Sequence, residues 1–463
     1  MTLKKGAAVA SLLVTGLFAL SAPSMATNGY LTHGVGTDSK AMAGTGVGSS
    51  ENVGAISVAS NPALGVFADD KWQIGISIFS PMRSYTTNGG IGGTMGAFTL
   101  SNGEYDSDNE AFPIPYVAKN WRLANDNAIT AVFYGRGGMN TEWSGSPTAS
   151  FDPTGMGGSP STFPGTFGGG TAGVDLMQAF LSVNYSGKIG DNFAYGLGPV
   201  VAVQMFEAKG LANFTPFTQT YADAFLGNGM GAPANALTNN GHDTSTGYGF
   251  SAGFWTGNDT VSFGLAYQSV ISMDEFSDYS DLFAEDGGFD IPSSIKAGVS
   301  FRAAEAVTLN FDIEHISYSD VDSVHNPIAN LLTGCFTANP SVVPATGGCL
   351  GGPSGGGFGW EDMTVYKVGV ALRGENGSTW RFGYSYGEQP IPSSEVLFNI
   401  LAPGVMEQHI TFGWTGERES GNIMSFSFMY APKTEVSGFS TFDPFQSIRL
   451  EMTQLELEFA YRF

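Results

Sequence analysis

Charged residues, and basic ones above all, are scarce in this sequence. Only 13% of its 463 residues are Asp, Glu, Lys or Arg, whereas about 25% is usual for a soluble domain. The chain has 19 basic and 42 acidic residues, which gives a formal net charge of −23. Binding to a phosphate backbone requires an excess of Lys and Arg. This composition therefore excludes nucleic acid as a partner.

Long apolar runs are also missing. After residue 26, no segment has the roughly 18 consecutive apolar residues that a membrane-spanning helix requires. The sequence therefore excludes a helical membrane protein.

The first 26 residues have the three parts of a secretory signal peptide. Lys4 and Lys5 precede an apolar stretch over residues 6–20, and Ser24-Met25-Ala26 follows as a small-x-small cleavage site. We expect cleavage after Ala26 and export of the mature chain. Without Lys4 and Lys5 the mature chain has 17 basic and 42 acidic residues, a net charge of −25.

Cysteine is nearly absent. Cys335 and Cys349 lie in a Gly- and Pro-rich stretch with 13 residues between them. In the oxidising surroundings of an exported protein this spacing predicts a disulfide, which stabilises by about 3 kcal/mol in the chain-entropy model. Two cysteines without a nearby histidine make a poor zinc site. We expect no metal and no cofactor.

Glycine and aromatic residues are abundant instead. The chain has 65 glycines, and 13% of its residues are aromatic. With few charges and no apolar run, this composition is typical of a transmembrane β-barrel. A large secreted β-sandwich or propeller is the alternative on composition alone.

Residues 27–70 differ from the chain that follows. Of these 44 residues, 23 are Gly, Ala, Ser or Thr, and only Tyr30 and Phe67 are aromatic. No alternation of period two is sustained, so the stretch is a poor strand former. We interpret it as a compact plug inside a barrel that begins at about Lys71. A flexible Gly-rich N-terminus is the alternative.

From residue 71 onward, apolar and polar residues alternate. Residues 379–387, for example, place four large aromatic side chains on one face and Arg381 with small residues on the other. The alternation predicts strands at about 72–85, 112–122, 127–141, 174–188, 192–208, 246–256, 260–274, 291–303, 306–320, 363–374, 378–388, 404–415, 423–436 and 448–463.

These fourteen strands predict the fold class, an all-β transmembrane barrel of antiparallel strands with an N-terminal hatch in the lumen. The strand number is even, as single-chain outer-membrane barrels require. Short turns alternate with long connections at about 86–111, 142–173, 209–245, 275–290, 321–362 and 437–447. A lumen of this width needs a plug. The expected division is 1–26 signal peptide, 27–70 hatch and 71–463 barrel.

The plug contains a Gly-rich run over residues 34–48 and the stretch Ser60-Asn61-Pro62-Ala63-Leu64. Together with the third strand (AITAVFYGRGGMNTEW), the eighth and ninth strands and the barrel from residue 364 onward, these stretches resemble the FadL/TodX family of outer-membrane transporters for fatty acids and other hydrophobic compounds. Asn61, Pro62 and Ala63 look like the hatch motif of that family. The terminal Phe463 looks like the assembly signal of outer-membrane barrels.

The resemblance implies a route for the substrate. Family members capture it in an exterior groove, pass it to an inner pocket and release it sideways at a kink in the third strand. Here that strand contains Gly135, Gly137 and Gly138. Glycine inside a strand weakens pairing and commonly marks a bulge. We expect a lateral gate at these residues, with ordinary wall glycines as the alternative.

The loop over residues 210–245 is the candidate exterior groove. Apolar residues between 217 and 226 recur as on one face of a helix. The predicted substrate-binding residues are Lys209, Leu211, Phe214, Phe217, Tyr221, Phe225 and Leu226. Packing of the loop onto the barrel rim is the alternative.

A fatty-acid carboxylate in an apolar pocket needs a cation or several donors. Lys209 is the best placed cation by position. The other basic residues considered lie on polar strand faces, where we expect pairing with lumen carboxylates such as Asp312, Glu456 and Glu458. They are Lys296, Arg302, Lys367, Arg373, Arg381 and Arg462.

Signals for catalysis and metal binding are weak. Two G-x-S-x-G patterns, centred on Ser251 and Ser385, fall within predicted strands, whereas the hydrolase elbow requires a strand, a turn and a helix. We predict no catalytic residue. The acidic residues near position 280 predict a solvated loop, with a Ca²⁺ site at the lipopolysaccharide surface as the alternative. They are Asp278, Asp281, Glu285 and Asp286.

These features predict a monomeric outer-membrane channel of a Gram-negative bacterium for passive uptake of hydrophobic molecules. Long-chain fatty acids are the expected substrate, and neutral aliphatic or monoaromatic hydrocarbons are the alternative. An outer-membrane lipase or a structural barrel are more distant alternatives. The expected partners are the substrate, outer-membrane lipid and lipopolysaccharide, and the barrel assembly machinery.

Overall fold

The computed structural model describes residues 27–152, 159–335 and 346–463. Fourteen long strands form one antiparallel sheet, and we number them in chain order. They are β1 Trp72–Gly89, β2 Phe112–Arg122, β3 Ala128–Asn140, β4 Gly173–Lys188, β5 Phe193–Lys209, β6 Asp243–Gly257, β7 Val261–Gln268, β8 Ser294–Ala304, β9 Val307–Ile316, β10 Met363–Arg373, β11 Thr379–Gly387, β12 Gln408–Glu417, β13 Ile423–Ser440 and β14 Asp443–Arg462. The predicted strand number is confirmed. The expected signal peptide lies outside the described residues.

The sheet closes on itself. Each strand pairs with the next one along the chain, and β14 pairs with β1 in a register that places Phe459 opposite Ile76. At the seam, Trp72 and Phe463 exchange backbone hydrogen bonds of 2.9 and 3.0 Å. Closure pairs the two terminal strands, so neither presents a free edge to lipid at this seam.

Alternation along each strand separates an apolar outer face from a polar inner face. In β14, Leu457 and Phe459 point outward and are 37% and 52% exposed, whereas Glu456 and Glu458 are buried inside. The predicted two-faced pattern is therefore confirmed. An outer wall of exposed Leu and Phe is stable where it contacts lipid.

Short turns close one end of the barrel and long connections extend from the other. The predicted long connection at 437–447 is wrong, because β13 and β14 remain paired as far as Ser440 and Asp443. The apolar-polar alternation of the sequence ends before the hairpin does, whereas its backbone pairing continues to the tip. Periodicity reports which side chains are apolar, so it does not locate the end of backbone pairing.

The long connections contain shorter elements. A separate sheet consists of Phe98–Leu100, Thr148–Phe151 and Ser161–Pro164, and two short strands, Gly103–Asp106 and Ser272–Met273, pair with β1 and β6. The α-helices α1 to α4 are Thr37–Lys40, Gln219–Asn228, Ala284–Gly287 and Asp322–His325, and Leu331–Cys335 forms a π-helical turn. The 3₁₀ turns are Ala55–Ala59, Pro62–Val66, Thr94–Gly96, Ala124–Asp126, Ala212–Phe217, Ser277–Tyr279, Tyr318–Asp320, Thr346–Gly348, Ser393–Glu395 and Phe398–Ile400. Among the described residues, no helix has the length and apolarity needed to cross a membrane.

The lipid-facing wall generates a first prediction. Phe382 points outward in the middle of β11 and is 47% exposed. Phe382→Arg should lower the free energy of unfolding by about 2–4 kcal/mol, because that is the cost of Arg on a barrel's lipid face near the midplane. Equilibrium unfolding in lipid vesicles measures this change.

Phe439→Arg is the matched control. Phe439 lies near the tip of the β13–β14 hairpin and is 63% exposed. A substitution there should alter the free energy of unfolding by no more than about 0.5 kcal/mol. Equal costs at positions 382 and 439 would contradict the assignment of the β11 outer face to lipid.

Candidate functional site

Residues 27–70, which we call the N-terminal segment, lie against the inner face of the barrel. Its backbone approaches the wall at glycines. A Cβ added to Gly264 of β7 would lie 2.0 Å from the carbonyl oxygen of Val47, and one added to Gly383 of β11 would lie 2.3 Å from the carbonyl carbon of Met42. Only glycine allows these distances. Small residues in the segment and glycines in the wall together allow the two backbones to approach this closely.

The N-terminal segment is also matched to the wall in charge. Each of its five Asp, Glu and Lys residues forms an ion pair with a barrel strand. The pairs are Asp38 with Arg381 (3.0 Å) and Arg462 (3.5 Å), Lys40 with Glu458 (2.7 Å) and Glu456, Glu51 with Arg373 (3.5 Å) and Arg302, Asp69 with Arg462 (3.8 Å), and Asp70 with Lys119. The segment thus neutralises charges that face the lumen.

This pairing corrects the partners expected from the sequence. The wall cations do pair with carboxylates, but four of the six pair with residues of the N-terminal segment. Asp312 instead accepts hydrogen bonds from the backbone N–H groups of Gly46 (2.8 Å) and Val47 (3.0 Å). The prediction considered only strand residues as partners and therefore omitted the charges of the segment.

Buried ionic groups of the segment keep their charges. Burial opposes ionisation of Asp38, but Arg381 and Arg462 outweigh it and lower the pKa of Asp38. Burial likewise disfavours the Lys40 ammonium, yet Glu456 and Glu458 raise the pKa of Lys40. Both groups therefore remain charged at neutral pH and attach the segment to the wall by charge-assisted hydrogen bonds.

The predicted hatch motif, Asn61-Pro62-Ala63, joins the segment to the wall near the short-turn end. Asn61 caps the 3₁₀ turn that follows, because its Oδ1 accepts from the N–H of Ala63 at 3.0 Å. Its Nδ2 donates to the carbonyls of Val47 (2.8 Å) and of Phe254 in β6 (3.0 Å). The Ser186 hydroxyl of β4 donates to the Pro62 carbonyl at 2.8 Å. The Asn61 side chain thus joins Val47 and Ala63 of the segment to β6.

The predicted gate glycines lie at a break in the sheet. Within the described residues, pairing between β2 and β3 ends at Tyr116 and Tyr134, although β2 begins four residues earlier, at Phe112. On the other side of β3, the register with β4 shifts between Gly135 and Gly137, so Arg136 is an additional, bulged residue. The expected bulge in the third strand is therefore present, and the sheet is open on the β2 side of it.

The start of the N-terminal segment covers this break from inside. The Thr32 N–H donates to the Arg136 carbonyl at 2.9 Å, and the Gly138 N–H donates to the Tyr30 carbonyl at 3.0 Å. A Cβ added to Gly137 would lie 3.2 Å from Leu31. Backbone groups of β3 that lack a partner in β2 are therefore satisfied by residues 30–32.

Two prolines beside the break were not among the predicted site residues. Pro113 and Pro115 lie in β2 directly before its last pair with β3. Proline has no N–H to donate and is confined to edge strands and bulges. The pattern FPIPY was therefore a readable signal that β2 is partly an edge strand.

Arg136 connects the break to the opposite wall and was also missed. Its guanidinium donates to the Ser294 hydroxyl of β8 at 2.9 Å and to the Gln268 side chain of β7. It lies 3.7 Å from a carboxylate oxygen of Glu314 in β9. The sequence gives no sign of this role, because it does not show that the bulge directs the Arg136 side chain into the lumen.

Glu314 is the centre of a buried charge cluster. Lys296 lies 3.1 Å and Lys367 lies 2.6 Å from its oxygens, and Arg136 completes the group. The Lys367 ammonium also donates to the carbonyl of His33 at 2.9 Å. Burial, Lys40 and Lys367 lower the pKa of His33, so no further positive charge is added here. The cluster crosses the lumen as a charged layer.

On the long-loop side of this layer the lumen contains a large buried apolar cluster. Tyr30 lies at the boundary, and its ring centroid is 5.4 Å from that of Tyr318, 5.8 Å from Trp360 and 6.0 Å from Phe289. The same buried cluster includes Leu31, Phe79, Phe112, Ile114, Met139, Trp143, Phe206, Phe358, Met363, Leu397, Leu401 and Met406. The β2–β3 break therefore lies where apolar surroundings give way to charged ones.

The predicted substrate-binding residues lie in two environments. Leu211 and Phe214 are buried, and Phe214 packs against Phe398 with ring centroids 5.6 Å apart. Phe217 is partly buried against Phe442 at 5.3 Å. These three residues fix the base of the loop to the apolar cluster.

The remaining predicted apolar residues belong to helix α2. The Thr218 side chain caps its start by accepting from the Tyr221 N–H at 3.2 Å, and Gly229, at φ 72°, ends it. Tyr221 is half-buried, whereas Phe225 and Leu226 are exposed. The helical spacing predicted from the sequence is present, and it places two apolar side chains on the outer surface.

The predicted disulfide between Cys335 and Cys349 is present, and it adjoins α2. The backbone of Leu350 accepts from Gln219 at 2.8 Å and donates to Phe217 at 2.9 Å. Ala222 of α2 packs with both cysteines. The disulfide thus supports the helix that carries the exposed apolar residues.

Lys209, the predicted carboxylate ligand, ends β5 at the outer rim. Its ammonium pairs with Glu207 at 3.1 Å, and the side chain is 44% exposed. The structure does not bring Lys209 together with the break or with the buried apolar cluster described above.

The two G-x-S-x-G serines are lumen-facing strand residues. Ser251 donates to Asn184 at 2.9 Å, and the Ser385 hydroxyl lies 3.0 Å from Nδ1 of His409. Both serines lie inside strands, β6 and β11, without the turn and helix of a hydrolase elbow.

In the part of the chain that the structure describes, no three His, Cys, Asp or Glu side chains are grouped to hold a metal ion. Among the four acidic residues near position 280, Asp281 instead accepts hydrogen bonds from the Thr220 hydroxyl (2.5 Å) and the Ala236 N–H (3.1 Å).

A closed fourteen-strand barrel with an apolar outer wall and a segment packed in its lumen is an outer-membrane transport barrel. The chain belongs to the family described as "Outer membrane protein transport protein (OMPP1/FadL/TodX)", whose model matches residues 17–415. The resemblance drawn from the sequence is confirmed. The protein is thus a channel of the outer membrane of a Gram-negative bacterium for hydrophobic substrates.

Solved structures share the fold. The toluene transporter TodX of Pseudomonas putida is 16% identical, with 93% of this chain and 98% of that chain covered and a TM-score of 0.58. A FadL homologue of Pseudomonas aeruginosa is 15% identical (94% and 98% covered, TM-score 0.57), and the toluene transporter TbuX of Ralstonia pickettii is 13% identical (93% and 98%, TM-score 0.54). A search of curated proteins found no match.

The charge cluster generates a second prediction. Glu314→Gln removes the carboxylate shared by Lys296, Lys367 and Arg136, so buried cations lose their partner. We expect the free energy of unfolding to fall by about 3–5 kcal/mol. Glu305→Gln, in the exposed β8–β9 turn, should change it by no more than about 0.5 kcal/mol. Unfolding in vesicles measures both, and equal values would contradict a structural role for the cluster.

Proposed function

We propose that this protein takes up hydrophobic molecules passively, with long-chain fatty acids as its substrate class, and releases them sideways into the membrane through the β2–β3 break. The observation that carries this proposal is the position of the break. It lies beside Tyr30, where the apolar part of the lumen ends and the charged layer begins.

The charged layer makes sideways exit into the membrane more favourable than passage straight along the lumen. Moving apolar surface into contact with water costs about 25 cal/mol per Å². A chain that continued through the lumen would also have to separate Glu314 from Lys296 and Lys367, which are buried and tightly paired. Leaving between β2 and β3 keeps the apolar chain in apolar surroundings throughout.

Capture begins at the outer surface. Phe225 and Leu226 on α2 offer exposed apolar side chains, and the Cys335–Cys349 disulfide limits the movement of the loop behind them. Phe214 and Leu211, beneath α2, connect this surface to the buried apolar cluster. This continuity supports a path from the exterior groove to Tyr30.

The N-terminal segment acts as the hatch. Residues 30–32 cover the break by two backbone hydrogen bonds, whereas the ion pairs of Asp38, Lys40 and Glu51 hold the rest of the segment to the wall. Displacing residues 30–32 alone opens the break. Asn61-Pro62-Ala63 anchors the base of the hatch at β4 and β6.

Neutral hydrocarbons are the second candidate substrate. The proteins named TodX and TbuX are toluene transporters and have the same fold. In this chain Lys209, the cation assigned from the sequence, is paired with Glu207. With this cation already paired, Lys209 gives an acid no advantage over a neutral molecule.

The barrel works as a monomer among outer-membrane lipids and lipopolysaccharide. Its outer face is apolar around the closed sheet, and the seam between β14 and β1 is fully paired. The assembly machinery acts on β14, which ends at Phe463. No hydrolytic activity is expected, since neither Ser251 nor Ser385 lies in an elbow.

Closing the break is the direct test of this function. Gly135 faces Ile114 of β2, and an added Cβ would lie 3.0 Å from its Cγ2 atom. Gly135→Ile therefore fills the break and should reduce uptake of radiolabelled hexadecanoate by about tenfold or more while the barrel still assembles. Uptake is measured in a deletion strain that lacks related transporters and carries the wild-type or variant gene.

Gly145→Ile is the matched control, because an added Cβ there meets nothing within 4 Å. It should leave uptake at the wild-type rate, and mobility on unboiled gels shows whether each barrel is folded. Normal uptake by a folded Gly135→Ile variant would overturn the lateral route. Equal uptake by the empty deletion strain and the wild-type strain would overturn transport itself.

The hatch motif gives a separate prediction. Asn61→Asp retains the acceptor for the Ala63 N–H but loses both donors, so two carbonyls face a carboxylate. We expect the free energy of unfolding to fall by about 1–3 kcal/mol and the rate of uptake to fall as well. Asn192→Asp, in an exposed turn, is the control. Identical uptake and stability in the two variants would contradict a role for Asn61 in anchoring the hatch.

A further inference from the structure

A cavity of about 490 Å³ lies at the short-turn end of the barrel, and we call it the mouth cavity. Its rim includes the exposed residues Asp191 and Asp259 of the β4–β5 and β6–β7 turns, and its lining continues to Glu51 of the N-terminal segment and Thr308 of β9. Most of the lining side chains are polar. In outer-membrane barrels the short turns face the periplasm, so periplasmic water enters this cavity directly.

Two smaller cavities continue from the mouth cavity into the lumen. The middle cavity, of about 50 Å³, lies between the N-terminal segment and strands β9 to β11, and Glu51 and Thr308 line it as well as the mouth cavity. The inner cavity, of about 20 Å³, shares Ser60 with the middle cavity and ends at Arg136 and Lys296. The three cavities therefore follow one another from the periplasm to the charged layer around Glu314.

The boundary between the mouth and middle cavities is polar. The Thr308 hydroxyl donates to the Glu51 carboxylate at 3.0 Å, and the Glu51 side chain is 22% exposed. At the other end of the series, 13% of the Lys296 side chain is accessible, compared with 2% for Lys367. The lysine that lines the inner cavity is thus the more accessible of the two that pair with Glu314.

Buried polar atoms without a partner line both smaller cavities. Among the described residues, neither the Thr45 hydroxyl nor Oδ1 of Asn310 has a hydrogen-bond partner at the middle cavity. The same is true, within these ranges, of the Ser182 hydroxyl and Nε2 of Gln268 at the inner cavity. These four residues are 1%, 1%, 2% and 7% exposed. Leaving a buried polar atom unpaired costs about 1–3 kcal/mol, so both cavities favour an occupant that forms hydrogen bonds.

The size and chemistry of the two smaller cavities identify that occupant as water. A water molecule requires a cavity of about 10–15 Å³ and two to four polar partners. The inner cavity therefore holds about one water molecule and the middle cavity about three to five. Oδ1 of Asn310 accepts hydrogen bonds, Nε2 of Gln268 donates them, and the hydroxyls do both, which water matches. A hydrophobic substrate is far too large for either cavity.

From this arrangement we propose that the three cavities form a path along which periplasmic water reaches the charged layer. Its function is to solvate Lys296 and Arg136 from the periplasmic side, while the apolar cluster covers the other side of the layer. Water at this position lowers the cost of burying the charges. It also makes the layer a stronger barrier to an apolar molecule. Water access does not depend on which substrate the channel takes up.

Silver ions test this path, because Ag⁺ is small and hydrated and replaces the proton of a thiol. The two native cysteines are paired in the Cys335–Cys349 disulfide, so each single Ser→Cys variant has one free thiol. Ser300 lines the mouth cavity, Ser60 lines the middle and inner cavities, and Ser182 lines the inner cavity. The variants are incubated with Ag⁺ in lipid nanodiscs, and the remaining thiol is alkylated after denaturation and measured by mass spectrometry. We expect all three thiols to react, fastest in Ser300→Cys and slowest in Ser182→Cys.

Ser427→Cys is the matched control. Ser427 faces the lumen from β13 and is 3% exposed, close to the 2% of Ser182, but it lines none of the three cavities. It should react at least about tenfold more slowly than Ser182→Cys, because a thiol away from the path reacts only when the structure opens locally.

Mobility on unboiled gels shows that each variant is folded. Equal rates in Ser182→Cys and Ser427→Cys would overturn the water path. Faster reaction in Ser182→Cys than in Ser60→Cys would also overturn it, because Ag⁺ would then enter from the exterior side. If Ser182→Cys does not fold, comparison of Ser60→Cys with Ser427→Cys decides the question in the same way.

Discussion

Ion pairing between the N-terminal segment and the barrel wall is the interaction on which the rest of the structure depends. Asp38, Lys40 and Glu51 each meet opposite charges on two strands. Removing one partner of a buried pair leaves an uncompensated charge, which is strongly unfavourable. The segment as a whole is therefore held in the lumen. Residues 30–32 carry no charge and contact the break through backbone hydrogen bonds, so this is the part that can move at low cost.

The same arrangement explains how a membrane barrel tolerates an incomplete sheet. Backbone groups in a lipid environment must find partners within the protein. Where β3 leaves β2, its Arg136 carbonyl and Gly138 N–H are satisfied by Thr32 and Tyr30, and the two prolines of β2 have no N–H to satisfy. The gap in the wall is thus compensated from inside.

Features of the structure that depend on neighbouring residues could be predicted from the sequence, whereas features that depend on residues far apart in the chain could not. Period-two alternation is local, so it predicted all fourteen strands, and the glycines of β3 identified the bulge. The ion pairs are not local: Asp38 and Arg462 are 424 residues apart, and no pattern indicates which wall charge a segment residue meets. Pro113 and Pro115 indicate an edge strand in the sequence itself, but the prediction did not use them.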